Sequence, residues 1–527
     1  MIRDPKQPSP TAASDNGVDR RSFLKVGAAA TIGAALARPV WAADAPALPY
    51  QVTGWHGDAY ETCHKVRDNA FTKLPAVSQK HDVVIVGSGI AGMTAAFKLR
   101  DLDVLVLEQD KRLGGMAKSL RSGEHEFNIG AAYFTGVEGE QAQLWSELGL
   151  NLKPVAVPND RWLHNGNWIP SPWEEESIAK ASPSLQKPMA AIRNAMAELL
   201  KGKDFPETPF VKASAQALKL DTITFAEWLK PWATPELMGF INGYCFSAMG
   251  ASAETLSAFG SLNFYSEFLG NIYAFPEGNA HLIKVMVEAF NAAGKDRIVP
   301  GCVVYKIDPV SDDNVRVYYM RGEESLCVEA KRVIAATPYF VSSRILAGIS
   351  DAQRYMLNLP KYAAYFVGSL VFDKVVSFDS YDSWVPAAGA FDDFIPTTWV
   401  DRDLHTQLEA KKAGQSISCF ACEHRPGVGR WRMMNKKPHE MAMPIVEAFE
   451  KIVPGATASL REVHMTRWGH AIIINQPGMY TKWLPKLSKR HGPVYLAHSD
   501  GQGLPAVESS TAEAFVAAKE IRERWKK

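Results

Sequence analysis

This chain lacks most of the features that would mark a nucleic-acid binder, a disulfide-stapled fold or a membrane span. Its 58 Lys and Arg all but cancel its 57 Asp and Glu, leaving a formal charge of +1. No long basic run occurs after the first 25 residues, so there is no electrostatic footprint for nucleic acid. Six cysteines in 527 residues are too few for a disulfide scaffold. No stretch beyond the N-terminal leader reaches the roughly 20 uninterrupted apolar residues of a spanning helix. His-Glu-x-x-His and Gly-x-Ser-x-Gly are both absent, which excludes the common metalloprotease and hydrolase layouts, and no metal ligands are expected. What remains is a long chain, 46% hydrophobic and 10% aromatic, ample for a large core and for two domains.

The first 43 residues read as an address. Asp19-Arg20-Arg21-Ser22-Phe23-Leu24-Lys25 is a twin-arginine pattern. A short Ala- and Gly-rich stretch, Val26 to Ala37, follows it, and then small residues around Val40-Trp41-Ala42. Cleavage after Ala42 or Ala43 would leave a mature protein in the periplasm, exported folded with its cofactor in place.

Chemistry first becomes legible at residue 81. His81-Asp82-Val83-Val84-Ile85-Val86 is a buried parallel strand by its β-branched run. Gly87-Ser88-Gly89-Ile90-Ala91-Gly92 follows directly, then a helical stretch and a second apolar strand, Val104 to Leu107, closed by Glu108. In such a βαβ unit Gly87 permits the tight turn. Gly89 admits a pyrophosphate to the backbone, and Gly92 lets helix and strand pack closely. The helix N-terminus offers free N–H groups to the phosphates. Glu108 stands where it can accept hydrogen bonds from a ribose.

The glycine loop does not choose between NAD and FAD; later segments do. Lys111-Arg112-Leu113-Gly114-Gly115-Met116 and Phe127-Asn128-Ile129-Gly130-Ala131-Ala132-Tyr133 resemble the flavin-containing amine oxidase superfamily. The resemblance implies FAD, with Arg112, Gly114, Gly115, Gly130 and Ala131 along the flavin and the Val304 backbone against the adenine. It implies that Asp500, in His498-Ser499-Asp500-Gly501-Gln502-Gly503, reaches the ribityl chain. Ala506 and Val507 would open a last helix pointed at the flavin pyrimidine, where its dipole would stabilise negative charge. Met116 replaces the family's usual Arg, which leaves a diphosphate contact missing or supplied by Lys118. His498, Pro505 and Ser510 replace glycines. The layout of the leader and the 44–80 extension, with Gly243-Tyr244-Cys245-Phe246 and Ser257-Ala258-Phe259-Gly260, is similar to bacterial spermidine dehydrogenases. That group carries haem with its flavin. Here a c-type attachment fails because position 60 is Tyr, which leaves non-covalent haem on His56 or His64 as a reading less favoured than a surface strap.

The expected fold is a two-domain α/β flavoprotein. A Rossmann-like FAD domain takes residues 81–139, 271–344 and 466–527, and an α+β substrate domain takes 140–270, mostly helical, and 345–465. Trp468 and Tyr133 are the candidate aromatic walls of a substrate pocket, and His470 a candidate base or positioning residue. Cys419 and Cys422 lie three apart in an expected strand and face opposite sides, which argues for a structural role. Tyr365 to Phe372 lacks the Lys that many amine oxidases carry near flavin N5, which favours a dehydrogenase over an oxidase. The expected activity is hydride transfer from an amine or polyamine to flavin, with a small-molecule substrate and a periplasmic electron acceptor as partners. Two alternatives stand beside it: a desaturase or dehydroxylase of an apolar, terpenoid-like substrate, and a non-catalytic flavin electron-transfer protein.

Overall fold

The computed structural model describes residues 48–525 apart from 136–137, 203, 206–212, 276–277, 295–296 and 401–413; the leader read over 1–43 lies outside the described residues. The architecture is α/β and rests on two large sheets.

The first sheet is the nucleotide sheet. Its central strand Gln79–Val86 pairs in parallel with Val104–Glu108 on one side and Glu324–Ala335 on the other. Ile298–Pro300 and Val494–Leu496 extend the parallel order outward. Val83, Val84 and Ile85 are fully buried, as their continuous β-branched run requires of a strand covered on both faces. Helix Ile90–Lys98 packs against the last helix, Val507–Trp525. Their contact is built on Ala91, Ala95, Ala514, Ala517 and Ala518, whose small side chains let the backbones approach. The C-terminal segment is thereby placed over the glycine loop.

The second sheet has eight strands, gathered from chain segments far apart. Tyr365–Phe372 lies between Gln415–Cys422 and Leu460–Trp468, antiparallel to both. The two-residue period divides these strands cleanly. Phe366, Leu370, Ile417, Cys419 and Met465 face helix Pro438–Ile452. Tyr365, Val367, Phe420, Cys422 and Trp468 face the opposite layer, which contains helices Pro183–Lys201 and Pro235–Met249. Cys419 and Cys422 therefore sit on opposite faces, and all six cysteines are free.

Two features differ from a reading by periodicity. The hairpin Asp160–His164 and Asn167–Pro170 adds two strands to this sheet inside a stretch expected to be mostly helical. The extension before residue 80 is also no loose strap: Gln51–Gly57 pairs in parallel with Leu460–Trp468 and forms the sheet's edge. The boundary expected between 465 and 466 falls inside that continuous partner strand.

Candidate functional site

The nucleotide loop is a steric device that can be read atom by atom. Gly87 has φ +103°, and a Cβ there would lie 2.6 Å from the Ala336 carbonyl oxygen. A Cβ on Gly92 would lie 2.0 Å from the Gly87 oxygen, so helix and turn meet with no space for a methyl group. A Cβ on Gly89, by contrast, would meet only the Gly115 Cα at 3.8 Å. Its face is open, as the approach of a pyrophosphate demands. No side chain caps the Ile90–Lys98 helix at Gly89, so its first N–H groups are left for a ligand.

Glu108 organises the loop. One carboxylate oxygen accepts hydrogen bonds from the Ser88 N–H at 2.8 Å and the Ser88 hydroxyl at 2.6 Å. The other accepts from the Asp110 N–H at 2.8 Å. Ser88 Oγ in turn accepts from Gly114 N–H at 3.2 Å, which ties the first glycine turn to the second. The Arg112 N–H donates to Asp110, and the Lys118 ammonium pairs with that same carboxylate at 2.5 Å. Lys118 thus has its charge engaged beside the loop where the diphosphate would lie. Gly130 packs on Met116: a Cβ on Gly130 would strike the Met116 oxygen at 2.2 Å, and Ala131 N–H donates to that oxygen. Val304 is buried in the strand Cys302–Ser311.

At the far end of the chain Asp500 is almost fully buried. Its carboxylate accepts the Tyr339 N–H at 2.8 Å and the Tyr362 hydroxyl at 2.7 Å, and lies 3.1 Å from His498. Burial pushes its pKa up, but His498 and these two donors outweigh burial and hold it below the usual carboxylate range. Ala506 immediately precedes the helix that begins at Val507, and Glu508 in its first turn accepts the Thr135 N–H at 2.8 Å. The helix start is thereby fastened to the Gly130–Tyr133 segment.

These segments converge on one site in a fold whose residues 90–518 match the family described as flavin-containing amine oxidoreductase. The chain belongs to the flavin-containing amine oxidoreductase family. FAD is that family's cofactor, and the open Gly89 face, the uncapped helix start and the buried Asp500 are chemically suited to hold it. Among curated proteins, a probable flavin-containing monoamine oxidase A of Dictyostelium discoideum is 27% identical over 197 residues, 36% of this chain and 41% of that protein. Bovine flavin-containing amine oxidase A is 35% identical over 95 residues, 18% of each chain. The matches thus span about two-fifths or less of these relatives' length. Cyclohexylamine oxidase from Brevibacterium oxydans superposes with a TM-score of 0.65 at 19% identity, over 85% of this chain and all of the other. A putrescine oxidase bound to putrescine superposes at 0.64 and 18% identity, over 84% and 99%.

Of the candidate pocket residues, Trp468 lies in the large hydrophobic core on this face of the sheet and Tyr133 packs against that core. The Trp468 indole N–H donates to the Ile129 carbonyl at 2.6 Å, beside Gly130 and Ala131. His470 stands apart from them, with its ring 4.7 Å from Phe340. Burial, then Arg430, His64 and Arg344, lower its pKa to about 4. It is therefore neutral at pH 7 and a weak base. Of the two histidines weighed for haem, His56 bonds Thr53 and faces His464, while the His64 ring lies against Tyr60.

Four buried acids that pattern reading missed lie beside these residues. Asp160 and Asp382 lie directly opposite each other on adjacent strands, and Asp393 lies opposite Trp384 on the next. Glu267 closes the group from the short turn Ser266–Leu269 and accepts the Tyr133 hydroxyl at 3.1 Å. Aromatic rings surround them: Tyr244 lies 4.8 Å from Tyr265 and 5.2 Å from Trp384. One oxygen of each acid is buried with no hydrogen-bond partner, and none of the four forms an ion pair among the described residues. Burial raises Glu267 to about 8, and burial followed by Glu174 raises Asp160 to about 7. Asp382 and Asp393 are also driven well above the carboxylate range, again chiefly by burial. The nearby Arg161 guanidinium does not relieve them, because it bonds Asp379, Ser377 and Ser383 instead. One signal was present: Asp382 in Tyr381-Asp382-Ser383-Trp384 and Asp393 in Asp392-Asp393-Phe394-Ile395 are acids in otherwise apolar strands.

Proposed function

We propose that this protein is an FAD-dependent dehydrogenase of a diamine or polyamine. One observation carries the reading: the buried acidic cluster on the face of the sheet that also bears Trp468. Leaving polar oxygens buried and unpartnered costs about 1–3 kcal/mol each, a cost that a cationic ligand would remove. From Trp468 to Asp393 is three strand spacings, about 14 Å across the sheet. A linear amine with cationic groups at both ends suits that separation better than a short monoamine. The aromatic rings add cation–π attraction for the same charge.

Each part of the site has a task in that chemistry. Bound FAD supplies the acceptor for the hydride. Gly89 and the open helix start would hold its diphosphate, and Asp500 its ribityl hydroxyls. Trp468 and Tyr133 would flank the reacting carbon, and a largely apolar setting would favour the neutral amine that reacts. The carboxylates would hold the remaining ammonium and so set the substrate's register. The fully buried strand Tyr365–Phe372 brings no Lys to this face, which supports a dehydrogenase. The four acids weigh against the apolar-substrate alternative. The twin-arginine pattern supports work in the periplasm, with an acceptor found there.

The test is anaerobic bleaching of the flavin bands by spermidine, putrescine, cyclohexylamine and a simple alkylamine. Bleaching by the first two at much lower concentration than by the others is the expected result. Equal bleaching by all would overturn the polyamine reading. A yellow protein that no amine bleaches would overturn amine oxidation itself.

A further inference from the structure

A pocket of about 570 Å³ has Tyr362 in its lining, and its chemistry is the reverse of the acidic cluster. Arg344, Lys361 and Arg430 line it together with Phe340, Tyr362 and His470, and no Asp or Glu is among its described lining residues. Arg430 is partly engaged, donating to the carbonyls of Tyr362 and Gly469. Arg344 and Lys361 are exposed at the pocket and form no ion pair with a carboxylate among the described residues. Two acids outside the lining bear on it: Asp68 is within electrostatic reach of Arg344, and Asp392 pairs with the lining residue His424 at 3.6 Å. The walls are aromatic: the Phe340 ring lies 5.0 Å from Tyr362, and Phe246 stacks on His424 at 3.5 Å and 6°. A site with cations that no carboxylate of its lining neutralises, and with flat apolar walls, selects a planar anion.

Its position gives that anion a task. Tyr362 forms one wall, and its hydroxyl donates to Asp500 at 2.7 Å. The pocket therefore stands one side chain away from the acid assigned to the flavin ribityl. We infer that it is the docking site for the electron acceptor, a small planar anion of the quinone class. The inference rests on the FAD placement proposed above. In the step, reduced flavin gives up two electrons and one proton. The quinone takes both electrons, that proton and a second one from solvent to become the hydroquinone, and oxidised flavin is restored. The acidic cluster would repel such an acceptor and the basic pocket would repel a polyamine, so the two reactants would be kept on separate routes.

The test uses flavin-loaded enzyme reduced with dithionite, so no amine is involved. Reoxidation is followed in stopped flow with dichlorophenolindophenol, a planar anionic quinone imine, and with an uncharged benzoquinone. Naphthalene-2,6-disulfonate, which is redox-inert, is titrated calorimetrically against the same protein. The Arg344→Gln/Lys361→Gln variant should keep its melting temperature and its reaction with the uncharged quinone. It should bind naphthalenedisulfonate about tenfold more weakly and need about tenfold more dichlorophenolindophenol for half-maximal rate. In the unaltered enzyme the disulfonate should compete with the dye. Unchanged binding and reoxidation in the variant would overturn the site. Weakened disulfonate binding without any change in dye reoxidation would overturn the acceptor role. A protein that purifies without flavin would sink the proposed function, while the titration would still read the pocket.

Discussion

If the acidic cluster receives a cationic substrate, binding must expel protons, and the number follows from the carboxyl groups described above. Glu267 at about 8 and Asp160 at about 7 are roughly three-quarters and one-quarter protonated at pH 7.5, so ionising these two releases about one proton, to which Asp382 and Asp393, also raised, add. The probe is a bis-quaternary alkane such as pentane-1,5-bis(trimethylammonium). Its charge does not change with pH and it cannot be oxidised as a neutral amine, so every proton measured comes from the protein. Calorimetric titration in buffers of different ionisation enthalpy should give at least about one proton at pH 7.5, and the release should fall as the pH rises. Between pH 7 and 8.5 the affinity should rise at least about fifteenfold, as Glu267 and Asp160 become ionised. Glu267→Gln should cut the release by about three-quarters of a proton at pH 7.5. The same shifts bear on stability. A carboxyl whose folded pKa is raised binds its proton more tightly in the folded state, so stability falls as pH rises from the unfolded value toward the folded one. For Glu267, from 4.5 to about 8, the loss is up to roughly 5 kcal/mol, complete above pH 8. The empty protein should therefore melt lower at pH 9 than at pH 6, and Glu267→Gln should narrow the difference. Heats independent of buffer between pH 7 and 8.5 would refute the reasoning.

Three further outcomes follow from the geometry. Gly92→Ala places a methyl group against the Gly87 oxygen, 2.0 Å from its built Cβ, and should yield protein purified with little flavin, read from the ratio of visible to ultraviolet absorbance. Tyr362→Phe removes a donor from the buried Asp500 and should weaken flavin retention severalfold, measured by dialysis against bromide. Asp58→Ala leaves the Gly469 N–H, now bonded to that carboxylate at 2.7 Å, without its partner, and should cost about 1–3 kcal/mol in chemical denaturation.

The nucleotide loop was legible from the sequence because its requirements are local. Gly87, Gly89 and Gly92 answer backbone contacts within one strand–turn–helix, and Glu108 closes the next strand. The last strand and helix were legible for the same reason. The acids were not, because Asp160, Asp382 and Asp393 meet only through strand register, and Glu267 joins them from a separate turn, Ser266–Leu269. Alternation could place Asp382 and Trp384 on one face, but not say that Asp160 would lie opposite them. The hairpin at 160–170 was hidden by its helical surroundings and by strands of only five and four residues. His470 illustrates the converse: two positions after Trp468, it lies outside the core that Trp468 joins because the strand ends at Trp468.

The edge strand Gln51–Gly57 has a consequence for how the molecule is made. It emerges from the ribosome early, yet its partner is Leu460–Trp468, some 410 residues later, with Thr53 bonded to His464 across that interval. Until nearly the whole chain exists, this strand has nothing to pair with, and the entropic cost of closing so long a loop is met only when the rest of the sheet is in place. The edge can therefore close only once residues 460–468 are in place beside it. A chain that stops short of residue 460 leaves Gln51–Gly57 without the strand it pairs with.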